Sequence, residues 1–300
     1  MKKKTYLFAL MAMVLTLGSC SDNENGIGGE TSKYITVSTS IGNMTRVATD
    51  AKGGQTFEEG DEISVYAWTG DATVAPETRE RVVNNAINKL TNGSWVSTPQ
   101  MLWKNNREKH YFIGVYPTAA ISDLSAGEYT FDANKQTESD LLVAVNPDGL
   151  SYSADAQQTV PLTFTHVMAK LAVNLTYKNQ WGGIPTVEKV VVGNAAKEAT
   201  INYQTKVVTS STIAKEDFSL PEITENTKYV SVIIPQEEVT QLTIVIGGKN
   251  FVYDNGTPFK LESGKITTVN LEVGRDEIKL GDVKITNWED GSTFSGEALN

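Results

Sequence analysis

Short runs rich in β-branched and aromatic residues recur from Tyr34 to Trp288, with Gly, Pro, Asn or Asp between them. Residues 34–41 are dense in Ile, Thr and Val. Residues 62–68 alternate, with one face apolar or aromatic and the other more polar. Residues 110–116 stop at Pro117, which removes a ladder donor. The apolar run at 140–145 meets Asn146-Pro147-Asp148-Gly149, a segment of strong turn chemistry. Further runs fall at 162–164, 170–177, 187–192, 228–234, 242–246, 250–253, 266–273 and 283–288. Short strands at this spacing build sandwiches or barrels, so an all-β fold is expected.

Asn92-Gly93 and Asn255-Gly256 are expected tight turns. Residues 79–90 are ambiguous: Val82, Val83, Ala86, Ile87 and Leu90 fall near helical spacing, yet the segment runs straight into Asn92-Gly93. Helix and hairpin both remain open there. A polar patch at 154–158 divides the chain after its amino-terminal region into comparable halves, 33–158 and 159–300, each long enough for a sandwich.

The amino terminus carries a different signal. Lys2, Lys3 and Lys4 precede an apolar stretch at 6–17, followed by Gly18, Ser19 and Cys20. A basic start, a short apolar run and small residues describe a secretory signal. The stretch is shorter than the roughly 20 residues that span a bilayer. Leu17-Gly18-Ser19-Cys20 resembles a bacterial lipobox, which implies cleavage between Ser19 and Cys20 and acylation of the Cys20 thiol. The bland alternative is an ordinary signal peptide with a cysteine at its end by chance. Cys20 is the only cysteine, so no disulfide is available. Two or three acyl chains anchor stably where one does not. The expected division is thus a signal at 1–19 and an acylated flexible tether at 20–32, rich in Gly, Ser and acidic residues.

Removing residues 1–19 takes away three lysines and leaves 23 basic against 36 acidic side chains, a net charge of −13. Such a surface has no electrostatic footprint for nucleic acid. Catalytic signals are sparse. The two histidines, His110 and His166, with one cysteine make no recognised zinc cluster. Ser-His-Asp chemistry lacks a Gly-x-Ser-x-Gly elbow. Glu58, Glu59 and Asp61 surround Gly60 and are expected to form a turn rather than a glycosidase pair. His166 sits in a strand-like segment and is expected to be packed. Neither enzyme activity nor a cofactor or metal is expected.

Several segments, in order, resemble the fimbrillin-like family, lipoprotein precursors of protease-assembled, donor-strand pili. They are Met44-Thr45-Arg46, the stretch from Thr56 to Tyr66 containing Gly60-Asp61-Glu62-Ile63, Leu102-Trp103, Tyr111 to Pro117, Asp140 to Ala144, Phe164 to Leu171, Gly264 to Leu271, and Ile285 to Gly291. The resemblance implies two tandem transthyretin-like β-sandwich domains. It also implies that a surface trypsin-like protease cuts between Arg46 and Val47 (Lys52 being the second choice), releasing the first strand at 34–41. A neighbour's terminal strand then takes its place, by β-strand addition. The candidate donor strand carries Val283, Ile285 and Trp288. Implied partners are other pilus subunits in a homo- or hetero-polymer, the outer membrane through the lipid, and the protease. The protein is then expected at the outer-membrane surface, and in the fimbrium after processing. Two alternatives stand beside this: an uncut anchor subunit, and a stand-alone surface adhesin binding host protein or glycan through Trp68, Trp95, Trp103 or Trp181.

Overall fold

A computed structural model describes residues 33–42, 56–153 and 158–288, all within the unit Thr31–Asn300. Among the described residues the regular structure is strand apart from two three-residue 3-10 turns. The amino-terminal half contains β1 (Thr36–Ile41), β2 (Glu62–Thr69), β3 (Arg81–Thr91), β4 (Ser94–Thr98), β5 (His110–Tyr116), β6 (Gly127–Thr130), β7 (Leu142–Leu150) and β8 (Thr159–His166). There follow β9 (Ala169–Tyr177), β10 (Val187–Ala196), β11 (Glu198–Asn202), β12 (Val207–Ser210), β13 (Lys215–Ser219) and β14 (Glu222–Thr224). The last are β15 (Lys228–Ile233), β16 (Gln236–Ile246), β17 (Lys249–Leu261), β18 (Lys265–Val273) and β19 (Ile278–Asn287). The expected all-β class holds.

Four sheets result. The first has seven strands in the order β1-β8-β7-β5-β2-β3-β4, and the second five in the order β14-β15-β9-β18-β19. A four-stranded sheet runs β13-β10-β16-β17, and a three-stranded one runs β12-β11-β6. The three-stranded sheet joins the halves of the chain, because β6 pairs with β11 from Glu198↔Thr130 to Ile201↔Gly127. β8 lies just past residue 158 in sequence, yet it belongs to the first sheet between β1 and β7.

Residues 79–90 resolve as strand, and the reason they mimic a helix is visible. In β3 the buried positions are Arg81, Val83, Ala86 and Asn88, so the period of two slips to three between Val83 and Ala86. Asn85 has φ 55°, and the β2–β3 register shifts between Val65 and Ala67. A bulge inserts one residue, and that residue produces the helical-looking spacing. Asn92 (φ 51°) and Gly93 (φ 73°) then make the expected two-residue turn into β4.

Two turn expectations are corrected. Asn255-Gly256 lies inside β17. The hairpin between β16 and β17 turns instead at Gly247-Gly248, both with positive φ, which the pair Ile246↔Lys249 closes. Asn146-Pro147-Asp148-Gly149 does not end β7. The pairing jumps from Phe112↔Asn146 to His110↔Leu150, and the Gly149 N–H donates to Asn146 Oδ1 at 3.0 Å. Turn chemistry here serves a bulge within a strand.

A third correction concerns alternation. β2 is buried on both faces, because Ile63, Val65 and Ala67 join one hydrophobic cluster while Tyr66 and Trp68 join another. Ser64, on the expected polar face, is buried and its Oγ accepts the Ala119 N–H at 3.0 Å. The first cluster includes Ile35, Val37, Phe112, Val160, Leu162 and Phe164. The second runs from Tyr66 and Ile113 through Val190 and Leu242 to Val269.

The first cluster is tight at Gly114 in β5, where an added Cβ would stand 2.6 Å from Phe164 Cζ and 3.1 Å from Leu162 Cδ1. Gly114→Val therefore pushes β5 away from the strand that supports β1. Overpacking of this kind costs about 1–3 kcal/mol, and chemical denaturation of the purified precursor measures it.

Candidate functional site: the first strand and the last

β1 sits at an edge of the seven-stranded sheet and runs parallel to β8 from Thr36↔Thr159 to Ile41↔Phe164. Its two faces differ in chemistry. Ile35 (3% exposed) and Val37 (6%) point into the first cluster. On the outer face the Thr36 and Thr159 hydroxyls lie 3.1 Å apart, and the Ser40 hydroxyl donates to Thr163 Oγ1 at 3.2 Å.

The other flank of β1 is also engaged. The Ile35 N–H donates to Met101 O at 2.9 Å, and the Trp103 N–H donates to Lys33 O at 3.2 Å. Farther along, the Trp95 Nε1–H of β4 donates to Thr39 Oγ1 at 3.0 Å. β1 therefore lies between β8 and the β4 side of the same sheet. Its inward side chains share one hydrophobic cluster with Phe112, Val160, Leu162 and Phe164.

Arg46, Val47 and Lys52 lie outside the described residues, as do Ser19 and Cys20. The two ends that flank residues 43–55 are fixed. The Gly42 N–H donates to Phe164 O at 2.8 Å. On the far side, the Phe57 ring meets Phe164 edge-on at 5.1 Å, with Trp95 and Tyr116 each at 5.3 Å. Both ends of the segment carrying Arg46 are thus held at Phe164.

β19 has the opposite character. It too is an edge strand, antiparallel to β18 from Lys265↔Asn287 to Val273↔Ile278. Its backbone is laddered to β18 along one side, with a register shift at Gly281, but its side chains are poorly covered. Leu280, Val283 and Ile285 are 36%, 37% and 38% exposed. Their partners Leu271, Val269 and Thr267 are buried, so these apolar side chains point to the core side of the sheet but reach past its cover.

Trp288, one residue beyond β19, is 6% exposed and stacks on the His166 ring at 4.1 Å and 6°. Lys170 Nζ lies 4.2 Å from the Trp288 ring centroid on the same sheet, and burial pulls the Lys170 pKa below its ordinary value against the opposing pull of Asp140. His166 Nδ1 is 2.7 Å from Asp140 Oδ1. His166 is thus packed, as expected, and it helps hold the end of the terminal strand. The Thr39–Trp95 bond and this His166–Trp288 stack were not legible in the sequence. A lone tryptophan closing the last strand run is the one signal that could have pointed to the stack.

The aromatic candidates for sugar binding divide. Trp68 (2% exposed) and Trp103 (8%) are core residues and present no face to solvent. Trp181 is half-buried, and its Nε1–H donates to Val273 O at 2.9 Å. The Glu58–Asp61 segment is a turn closed by the Asp61 N–H to Glu58 O at 3.0 Å. Among the described residues no cluster of three or more His, Cys, Asp or Glu side chains could hold a metal.

Fold and site together define an all-β protein with a buried first strand at one sheet edge and an under-buried last strand at another. The fimbrillin-like family profile matches residues 45–288, and the chain belongs to that family. A protein of Bacteroides uniformis described as "Putative fimbrium subunit Fim1C" is 28% identical over 181 residues. That alignment covers 58% of this chain and 56% of the relative, so the chain spans little more than half of the relative's length. The fold is similar to a crystal structure described as a "putative cell adhesion protein" from Bacteroides uniformis, at TM-score 0.61 and 18% identity over 86% of this chain and 100% of the other. A second, from Bacteroides ovatus and described in the same words, aligns at TM-score 0.64 and 17% identity over 85% and 98%.

Proposed function

We propose that this chain is a structural subunit of a surface pilus, exported as a lipoprotein and assembled by exchanging its first strand for a neighbour's last. The observation that carries the reading is a contrast in burial. Ile35, just before β1, and Val37 within it are 3% and 6% exposed, whereas Val283 and Ile285 of β19 are 37% and 38% exposed. A groove emptied of β1 offers an incoming β19 both ladder partners and a dry floor. Fully burying an aliphatic side chain stabilises by about 1.5–3 kcal/mol, so moving each from one-third exposed to buried contributes about a third of that in trans. Strand replacement also spares the groove edge from standing unpaired.

The precursor must hold β1 until assembly, and a cut between Arg46 and Val47 would sever β1 from Phe57, whose ring stays packed on Phe164. Sequencing the amino termini of subunits recovered from intact cells and from fibres tests this. The expected result is an acylated Cys20 terminus in the precursor and Val47 in fibres. Fibres that still begin at Cys20 would exclude strand release.

Cys20→Ala removes the only thiol in the chain. Metabolic labelling with a fatty-acid probe should lose all signal on this protein, and the variant should leave the membrane fraction. Undiminished label would reject the lipoprotein reading.

A further inference from the structure

We propose that Trp95 reads the register of the incoming strand, its indole N–H passing from Thr39 in the precursor to Asn287 of a second copy of this chain in the polymer. The inference rests on the exchange reading above and adds to it a specific partner and a specific register.

Residues that point inward from β1 follow a simple pattern: apolar Ile35, apolar Val37, then Thr39, whose hydroxyl accepts the Trp95 Nε1–H at 3.0 Å. When β1 leaves, that indole loses its acceptor. Trp95 is half-buried, and a donor that an incoming strand covers without giving it a partner is costly, so an occupant that restores the bond is favoured over one that merely fills the groove.

β19 offers two stretches with the same spacing of apolar, apolar, acceptor: Ile278, Leu280, Asp282 and Val283, Ile285, Asn287. The ladder separates them. Leu280 pairs with Leu271 but Asp282 pairs with Asn270, because the register shifts there. Adjacent partners point to opposite faces, so Leu280 and Asp282 do not share one. Val283, Ile285 and Asn287 pair with Val269, Thr267 and Lys265, alternate residues of β18. These three share a face. Gly281 further weakens the first stretch as a strand. Laid parallel to β8 as β1 is, the second stretch puts Val283 at the place of Ile35, Ile285 at that of Val37, and the Asn287 amide oxygen at that of the Thr39 hydroxyl.

The test uses fibres grown from protease-processed subunits, with their dissociation rate followed in mild denaturant. Asn287→Leu should dissociate about tenfold faster, from the orphaned indole N–H, while Asn287→Thr should match the wild type. In acceptors carrying Trp95→Phe, the Asn287→Leu penalty should vanish. Thr39→Val should lower the melting temperature of the precursor yet leave fibres unchanged, since β1 is absent from them; this holds the proposal open to test even if Trp95→Phe fails to fold. Wild-type dissociation from Asn287→Leu fibres, a penalty that persists with Trp95→Phe, or a loss confined to Asp282→Leu would each overturn it. None of these outcomes touches the exchange reading itself, which fails if fibres still begin at Cys20 or grow when Val283 and Ile285 carry charges.

Discussion

A chain carrying Val283→Asp and Ile285→Asp folds as a monomer and adds to no fibre. Both side chains are more than one-third exposed on an edge strand, so carboxylates there reach water. The remaining penalty is the poor strand propensity of Asp, up to about 1 kcal/mol per site, which moves the melting temperature by about 2–4 °C per kcal/mol in a domain of this size. In a neighbour's groove the same carboxylates would face Phe112, Leu162 and Phe164. A charge placed there without a partner costs several kcal/mol, enough to abolish incorporation. Monomer melting and fibre incorporation, measured side by side, separate the two effects. Normal fibres would remove β19 from the donor role, and a collapsed monomer would make β19 a strand needed by its own subunit. Deleting residues 278–300 is a blunter test, because it also removes buried Trp288, and losing a packed tryptophan costs about 3–5 kcal/mol.

Arg46→Ala is expected to halt assembly at the precursor. β1 then stays in its groove, with Ile35 and Val37 buried and its ladder to β8 intact, so the variant should melt like the uncut wild type. Gel analysis after mild heating should show monomer in place of concatemers. Fibres beginning at Val47 in the variant would refute the role of Arg46, and fibres beginning at Gly53 would move the cut to Lys52.

Much of the fold was legible because β-branched alternation and turn chemistry are local. Residues 110–116 and 266–273 read as strands and are β5 and most of β18. The misreadings share one cause: a bulge. At Asn85 an extra residue imitated helical spacing, and at Asn146–Gly149 turn residues shaped a bulge inside β7. Whether a Gly-containing tetrad turns the chain or merely bulges it depends on a partner strand distant in sequence. Burial of β2 on both faces was hidden for the same reason, since Ser64 reads as polar until its Oγ is seen to accept the Ala119 N–H.

The sequence by itself determined the strand-rich character, the two-residue turn at Asn92-Gly93, the packed state of His166, and membership of a family recognisable from ordered short motifs. These depend on neighbours along the chain or on composition. Only the tertiary structure decided that β1 is an edge strand lying parallel to β8, that Trp95 donates to Thr39, and that Val283 and Ile285 remain partly uncovered while Trp288 is clasped by His166. Each of those facts is a pairing between segments far apart in the chain. Strand order and register are set by which faces can be buried together, and a single residue's shift reverses every side chain.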